Sequence, residues 1–263
     1  MQQSVDELVA SMLAGTKSAL ARLITLVEED SSRAPEILRM IQPYLGKAYC
    51  IGITGPPGAG KSTLIDRITA LIRSKGLSVG IVAIDPSSPL TGGAMLGDRI
   101  RMQQHYLDDD VFIRSMASRG SYGGLAKATG AVINLMDAFG KDIIIVETVG
   151  VGQVEVGITE LADTIVLVLG PEFGDTIQLM KAGIIEVADI IVINKGDREG
   201  AERISSELRD VLMLDSRKPN RPIFITQAIN NIGVEELYAE LEKQREEKKA
   251  KAKLEGEEGK SEE

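Results

Sequence analysis

A glycine-rich run between residues 52 and 63, "GITGPPGAGKST", holds residue types that bind the phosphates of a nucleotide. It fits the spacing G-x-x-x-x-G-K-[ST], in which peptide N–H groups and the N-terminus of the next helix face phosphate oxygens. In such a loop the lysine reaches the β- and γ-phosphates and the hydroxyl after it binds Mg²⁺. The predicted phosphate loop comprises Gly55, Pro56, Pro57, Gly58, Ala59, Gly60, Lys61, Ser62 and Thr63.

A carboxylate for the metal is predicted in the run "DIIIVETVG", residues 142 to 150. Four apolar residues precede Glu147, which places it at the end of a buried strand, where Mg²⁺-nucleotide sites need an acidic side chain. Gly150 matches the D-x-x-G logic in which a glycine amide senses the γ-phosphate, with glutamate in place of aspartate. Val151 stands where a Ras-like enzyme has the glutamine that orients water, so other groups must serve catalysis.

The base is predicted from "VINKGD", because Asn194, Lys195 and Asp197 form an N-K-x-D motif after a strand. Asp197 can accept hydrogen bonds from guanine N1–H and the 2-amino group, and Lys195 can lie over the ring. Adenine has no matching donors, and a site that loses buried hydrogen bonds discriminates by roughly 10⁴ to 10⁵. The sequence therefore favours GTP and GDP over ATP. Gln227 and Ala228, in "ITQA", stand where such proteins often have Ser-Ala behind the base.

The elements that must position these groups are strands buried on both faces, since short apolar runs recur between helical stretches from residue 49 onward. This pattern predicts an α/β fold, a P-loop NTPase with a mainly parallel central sheet flanked by helices. The predicted strands are "YCIGIT", "SVGIVAID", "DVFIRSM", "DIIIVET", "DTIVLVLG", "DIIVINK" and "PIFITQA".

Three regions are predicted along the chain. Apolar residues at helical spacing indicate an N-terminal helical segment over residues 1–45, and the nucleotide domain follows over 46–242. Residues 243–263 form a charged stretch without aromatic or β-branched residues, which predicts a fraying helix followed by disorder.

Composition excludes several classes of protein. A net charge of −9 argues against a nucleic-acid partner, because most of this surface would repel phosphates. Cys50 and His105 are the only residues of their types, which excludes a disulfide framework and His-His metal sites. We expect Cys50 to be a buried apolar residue and His105 a partly exposed helical one. The acidic N-terminus and the lack of a long apolar stretch predict a cytoplasmic protein without a membrane partner.

Several uncommon strings recur in order: "DPSSPLTGGAMLGDRIRM" at 85–102, "RSMASRGSYGGL" at 114–125 and "ETVGVGQVE" at 147–155. Together they resemble the methylmalonyl-CoA mutase-associated GTPases, the MeaB/ArgK type, from about residue 15 to residue 240. The resemblance implies a GTP-dependent chaperone of methylmalonyl-CoA mutase or a related acyl-CoA mutase. Such a chaperone gates loading of the cobalamin cofactor and guards the mutase against inactivation.

The resemblance also implies roles for residues outside the two motifs. Asp85, at a strand end, and Asp98, in a glycine-rich loop, are assigned to Mg²⁺ and the switch region, although Asp98 could instead cap the next helix. Lys181, in the run "GPEFGDTIQLMKAG", would enter the nucleotide site when the mutase binds, like an arginine finger worth roughly 10³ to 10⁵ in rate. Hydrolysis by the protein alone should therefore be slow. Many family members dimerise through a C-terminal helical arm, where this sequence has the charged stretch, so homodimerisation stays open.

Other functions remain as alternatives. An ATPase or kinase linked to lysine, arginine and ornithine transport needs ATP, which Asp197 disfavours. A metal-delivery GTPase needs more His or Cys ligands than Cys50 and His105. A nucleotide-sensing module with negligible turnover is not distinguished from the chaperone by sequence. Four arginines either approach phosphates or form ion pairs: Arg99, Arg101, Arg114 and Arg119.

Overall fold

The computed structural model describes residues 4–29, 32–85, 105, 107–117, 122–148, 154–172, 184–213 and 221–258. Over these residues, seven parallel strands form one sheet in the order β3-β2-β4-β1-β5-β6-β7. The strands are β1 Tyr49–Thr54, β2 Val79–Asp85, β3 Val111–Ala117, β4 Ile143–Thr148, β5 Thr164–Leu169, β6 Ile190–Asn194 and β7 Ile223–Thr226.

Helices cover both faces of this sheet, as the apolar runs predicted, and the α/β P-loop architecture is confirmed. All six residues of β1, of β4 and of β5 are buried, because strands between two helical layers meet no solvent. The helices are α1 Val5–Leu13, α2 Lys17–Glu29, α3 Ala34–Ile41, α4 Lys61–Ser74, α5 Tyr122–Ala138, α6 Val154–Thr159, α7 Ile184–Val187, α8 Ala201–Met213 and α9 Val234–Glu258, with 3-10 turns at Gln42–Tyr44 and Ala228–Asn230.

The predicted N-terminal helices pack on the same face as α5 and share one apolar core with the sheet, where Leu20 and Leu23 belong to the cluster that holds Ile144. The opposite face is covered by α4 and the first turns of α9, through Ile65, Ile68 and Leu237 among others. Burial of these apolar clusters on the two faces is the main term that holds the layers together. Parallel strands bring all their carboxyl ends to one edge, where the described residues of the predicted site lie.

The chain between α3 and β1 is fixed by one buried carboxylate. Asp137, near the end of α5, accepts hydrogen bonds from the N–H groups of Gly46, Lys47 and Ala48 at 2.6, 3.1 and 2.8 Å. This contact joins the N-terminal helices to the entry of the central strand.

Helix α9 continues through Glu258, so the helical part of residues 243–263, which the sequence predicted to be a fraying helix followed by disorder, is long. Residues 246–253 of this helix consist of lysine, glutamate and alanine, which have high intrinsic helix propensity. Two contacts also join it to the start of β5: Gln244 Oε1 accepts from the Thr164 hydroxyl at 2.9 Å, and Lys248 forms an ion pair with Asp163. Propensity and these contacts together account for the longer helix. Among the described residues, no helix has the length and apolar character needed to cross a membrane.

The predictions for the only cysteine and the only histidine of the chain have different outcomes. Cys50 is buried, as expected. The prediction that His105 is partly exposed is wrong, because only 8% of the surface of this residue is exposed and it counts as buried. The reason is a polar contact that the sequence does not reveal, since His105 Nε2 lies 3.1 Å from the main-chain oxygen of Asp66 and 3.3 Å from its carboxylate.

Candidate nucleotide-binding site

The phosphate loop joins the end of β1 to the start of α4, at the carboxyl edge of the sheet. Two of its glycines are required by both backbone and space. Gly55 has φ 139°, and a Cβ there would lie 1.9 Å from the carbonyl oxygen of Val168. Gly60 has φ 93°, and a Cβ would lie 2.2 Å from the side-chain amide of Asn194. Gly60 is also the N-cap of α4 and has no side chain to cap it, which leaves the first N–H groups of the helix directed at the loop.

Lys61 lies within this loop rather than in solvent, with 6% of its surface exposed. Its ammonium donates hydrogen bonds to the carbonyl oxygens of Gly55 at 2.8 Å and Pro56 at 3.1 Å. A positive charge surrounded by backbone groups, beside a helix N-terminus, is a suitable binding position for phosphate oxygens.

Two oxygen donors for a cation meet beside the loop. The Ser62 hydroxyl donates to Glu147 Oε1 at 2.8 Å, and both residues are buried. Pairing of β4 with β1 and β2 puts Glu147 opposite Ile53 and Ala83. A hydroxyl and a carboxylate fit Mg²⁺, a hard cation that takes few protein ligands and completes its shell with phosphates and water.

Asp85 ends β2 two residues beyond the partner of Glu147, so its backbone reaches the same edge of the sheet. Three other predicted site residues, Asp98, Gly150 and Lys181, lie outside the described residues, as do Arg99, Arg101 and Arg119. Arg114 is described, and it resolves one open alternative. Its guanidinium forms an ion pair with Glu28 on α2 and contacts the Thr25 hydroxyl at 3.2 Å.

On the other side of the loop, Asn194 joins three segments. Its Nδ2 donates to the carbonyl oxygen of Ala59 in the phosphate loop at 3.0 Å. Its Oδ1 accepts from the Thr226 hydroxyl at 3.1 Å and from the Ala228 N–H at 3.0 Å. The asparagine of the N-K-x-D motif thus joins the phosphate side to the predicted base side through its hydrogen bonds.

The two other motif residues lie in the turn after β6. Lys195 has φ 60°, and its ammonium lies 2.8 Å from Glu172 Oε1. Asp197 is exposed. The geometry therefore leaves the Asp197 carboxylate open to a base edge while Lys195 is held from the side.

Gln227 and Ala228 lie beside this turn, but their N–H groups are used within the protein. The Gln227 N–H donates to the Ile232 carbonyl at 2.9 Å, and its side-chain oxygen accepts from Asn230 at 3.1 Å. The Ala228 N–H is bound by Asn194. These two residues border the predicted base site, and their N–H groups are already used within the protein.

Two residues that no sequence motif predicted also lie in contact with this region. The Arg67 Nε on α4 donates to the Ala228 carbonyl at 3.2 Å, which fixes the first residue of the 3-10 turn Ala228–Asn230. Glu172, three residues after β5, binds Lys195. Arg67 is 161 positions from Ala228 and Glu172 is 23 from Lys195, so no local pattern signals either contact.

A parallel sheet with a phosphate loop after its central strand, an acidic residue on the neighbouring strand and an N-K-x-D turn defines the class of P-loop GTPases. Comparison with known proteins identifies the family. The model described as "Methylmalonyl Co-A mutase-associated GTPase MeaB" matches residues 20–262, and the chain belongs to this family.

Individual relatives agree with this family. A protein of Pyrococcus abyssi, whose name gives GTPase as an inferred activity, is 56% identical over 92% of this chain and 76% of its own length. The mitochondrial methylmalonic aciduria type A homolog of Mus musculus is 38% identical over 82% of this chain and 56% of its own. A solved structure named "LAO/AO transport system kinase" superposes with a TM-score of 0.77 and 27% identity, over 97% of this chain and 80% of its own. The chain is therefore a GTP-hydrolysing enzyme that binds guanine nucleotides.

Proposed function

We propose that this GTPase is a chaperone that gates cobalamin loading into methylmalonyl-CoA mutase, or a related acyl-CoA mutase, and protects that enzyme. The family match supports the mutase as client. The observation that carries the nucleotide part is the Asn194 side chain, whose hydrogen bonds join the phosphate loop to the predicted base turn. We place the protein in the cytoplasm.

In this proposal the described residues hold GTP at three points. Lys61 and the N–H groups of residues 58–63 bind the β- and γ-phosphates. Asp197 accepts from the guanine N1–H and amino group, and Lys195 covers the ring. Ser62 and Glu147 hold Mg²⁺, which when bound neutralises charge on the phosphates.

Hydrolysis follows from attack by water on the γ-phosphorus, which breaks the bond to the β–γ bridging oxygen and releases GDP and phosphate. Val151 supplies no group to orient that water. Asp85 and Asp98 are proposed to act at the metal, and Gly150 to respond to the γ-phosphate. Lys181 is proposed to stabilise the transition-state charge once the mutase binds, so that turnover is slow without it.

The test is steady-state hydrolysis of GTP by the purified protein, alone and with methylmalonyl-CoA mutase, using ATP as a control and Lys181→Ala beside the wild type. Slow GTP turnover that rises with the mutase, and rises less in the variant, supports the proposal. Turnover that does not respond to the mutase removes the client. A preference for ATP would favour a transport-linked kinase, the activity in the name of the solved structure with similar fold.

A further inference from the structure

Glu172 and Lys195 follow two paired strands and meet at the carboxyl edge of the sheet. Leu169, the last residue of β5, pairs with Ile193 in β6. Glu172 comes three residues after Leu169, and Lys195 comes two residues after Ile193. The Lys195 ammonium lies 2.8 Å from Glu172 Oε1, and the Arg198 guanidinium binds the same oxygen.

The pair is partly shielded from solvent. The side chain of Lys195 is 24% exposed and that of Glu172 is 39% exposed. The hydrogen bond from Lys195 lowers the pKa of Glu172, so this carboxylate is ionised at neutral pH. Because Arg198 also binds Glu172, the carboxylate keeps one cationic partner whenever the other moves.

Lys195 is consequently held at both ends. Its backbone has the left-handed conformation, φ 60°, and the next residue, Gly196, donates its N–H to the Thr226 carbonyl at 2.9 Å. The ammonium end is held by Glu172. A free lysine has many rotamers, and fixing it against a ligand costs side-chain entropy. A side chain held before the ligand arrives avoids most of that cost.

We propose that Glu172 is a positioning residue of the guanine site, which holds the Lys195 side chain in the direction needed to cover the base. The inference rests on the proposed role of the N-K-x-D turn in guanine binding. Glu172 acts through Lys195 and need not touch the nucleotide. It lies in neither of the motifs that mark the site.

The experiment measures GDP affinity by calorimetry for wild type, Glu172→Gln, Lys195→Met and the double variant. We expect Glu172→Gln to weaken GDP binding about fivefold, the upper range for a partly exposed ion pair. The double variant should bind no more weakly than Lys195→Met, since Glu172 then has nothing to position. Glu199→Gln is the matched control: it removes the same charge from an exposed position in the same turn and should change affinity by less than about twofold.

Kinetics add a readout that a general structural role would not produce. Glu172→Gln should raise the KM for GTP and leave kcat unchanged, because only nucleotide binding is affected. Additive losses in the double variant would overturn the inference, as would unchanged or tighter GDP binding by Glu172→Gln. If Lys195→Met itself leaves GDP affinity unchanged, the proposed base site fails and the inference fails with it. If Lys195→Met weakens GDP binding and Glu172→Gln does not, only the role of Glu172 is overturned.

Discussion

The Ser62 hydroxyl and the Glu147 carboxylate form a buried contact of 2.8 Å, and each has the chemistry of a Mg²⁺ site. Glu147→Gln keeps the size of the side chain and removes its charge. We expect Mg²⁺-dependent GTP hydrolysis to fall about tenfold to hundredfold, since groups that hold or orient a metal have effects of this size. GDP binding without Mg²⁺ should persist, because Lys61 and the loop N–H groups are intact.

A magnesium titration of turnover checks this prediction for Glu147. Ser62→Ala serves as the second variant, because it removes the other donor without changing charge. Both variants should require more Mg²⁺ for half-maximal turnover. A wild-type magnesium curve in Glu147→Gln would contradict the assignment of this carboxylate to the metal.

Lys141 is a buried cation away from the nucleotide site. It is 4% exposed, donates to the Asp110 carbonyl at 2.7 Å and lies 5.5 Å from the centre of the Phe139 ring. Burial, with the nearby positive charge of Lys17, lowers its pKa to about 8. In the unfolded chain a lysine has a pKa near 10.4, so between about pH 8 and pH 10.4 the unfolded state binds more protons than the folded state. The free energy of unfolding therefore rises with pH across this window.

The Lys141→Met variant isolates this effect. Cys50 has the opposite sign, because burial raises the pKa of its thiol to about 12 and the folded state then holds the extra proton. The contribution of Cys50 to the free energy of unfolding is the same in wild type and Lys141→Met, so it cancels in the difference between them. Urea unfolding at pH 7.5 and 10.5 should show wild type gaining up to about 3 kcal/mol relative to the variant. A difference that does not change with pH would contradict the lowered pKa.

At the scale of elements, Asp137 is the contact between the entry to β1 and helix α5. It accepts three consecutive N–H groups, from Gly46 to Ala48. Asp137→Ala should lower the free energy of unfolding by about 2 kcal/mol, the cost of losing charged hydrogen bonds that water replaces only in part. Urea unfolding measures it, with Asp109→Ala as the control.

Asp109 is an aspartate whose fully exposed carboxylate pairs with Lys17 at 3.1 Å. Its removal should change stability little, because exposed ion pairs contribute little. GDP affinity should be unchanged in both variants, since neither residue lies at the carboxyl edge of the sheet. Equal stability losses from the two changes would show that Asp137 has no special role in fixing the chain between α3 and β1.

Elements and motifs were the predictable part of this protein. The strands were found because burial on both faces leaves continuous apolar runs, as in β4 and β5, and the phosphate loop because its spacing is local. Long-range contacts were not predictable. His105 is buried by contact with Asp66, and α9 is extended past Gln244 by contacts with the start of β5, two effects that depend on residues distant in sequence.

At the scale of the whole molecule, the two edges of the sheet have different roles. The carboxyl edge carries Lys61, Glu147 and Asn194, whereas the middle of α9 contacts Asp163 and Thr164 at the opposite edge. β5 is six residues long, which separates the two edges by about 20 Å. Changes to the end of α9 should therefore affect stability without affecting the nucleotide.

A pair of truncations tests that separation. Removal of residues 249–263 keeps the Lys248–Asp163 ion pair and the buried turns of α9, so we expect unchanged GDP affinity and a loss of stability below about 1 kcal/mol. Removal from residue 237 onward also deletes Leu237, Tyr238 and Leu241, which are buried against the sheet, and should cost more than about 5 kcal/mol. Urea unfolding and GDP calorimetry measure both effects. If the shorter deletion weakens GDP binding while leaving stability intact, the end of α9 is coupled to the site and the two edges are not independent.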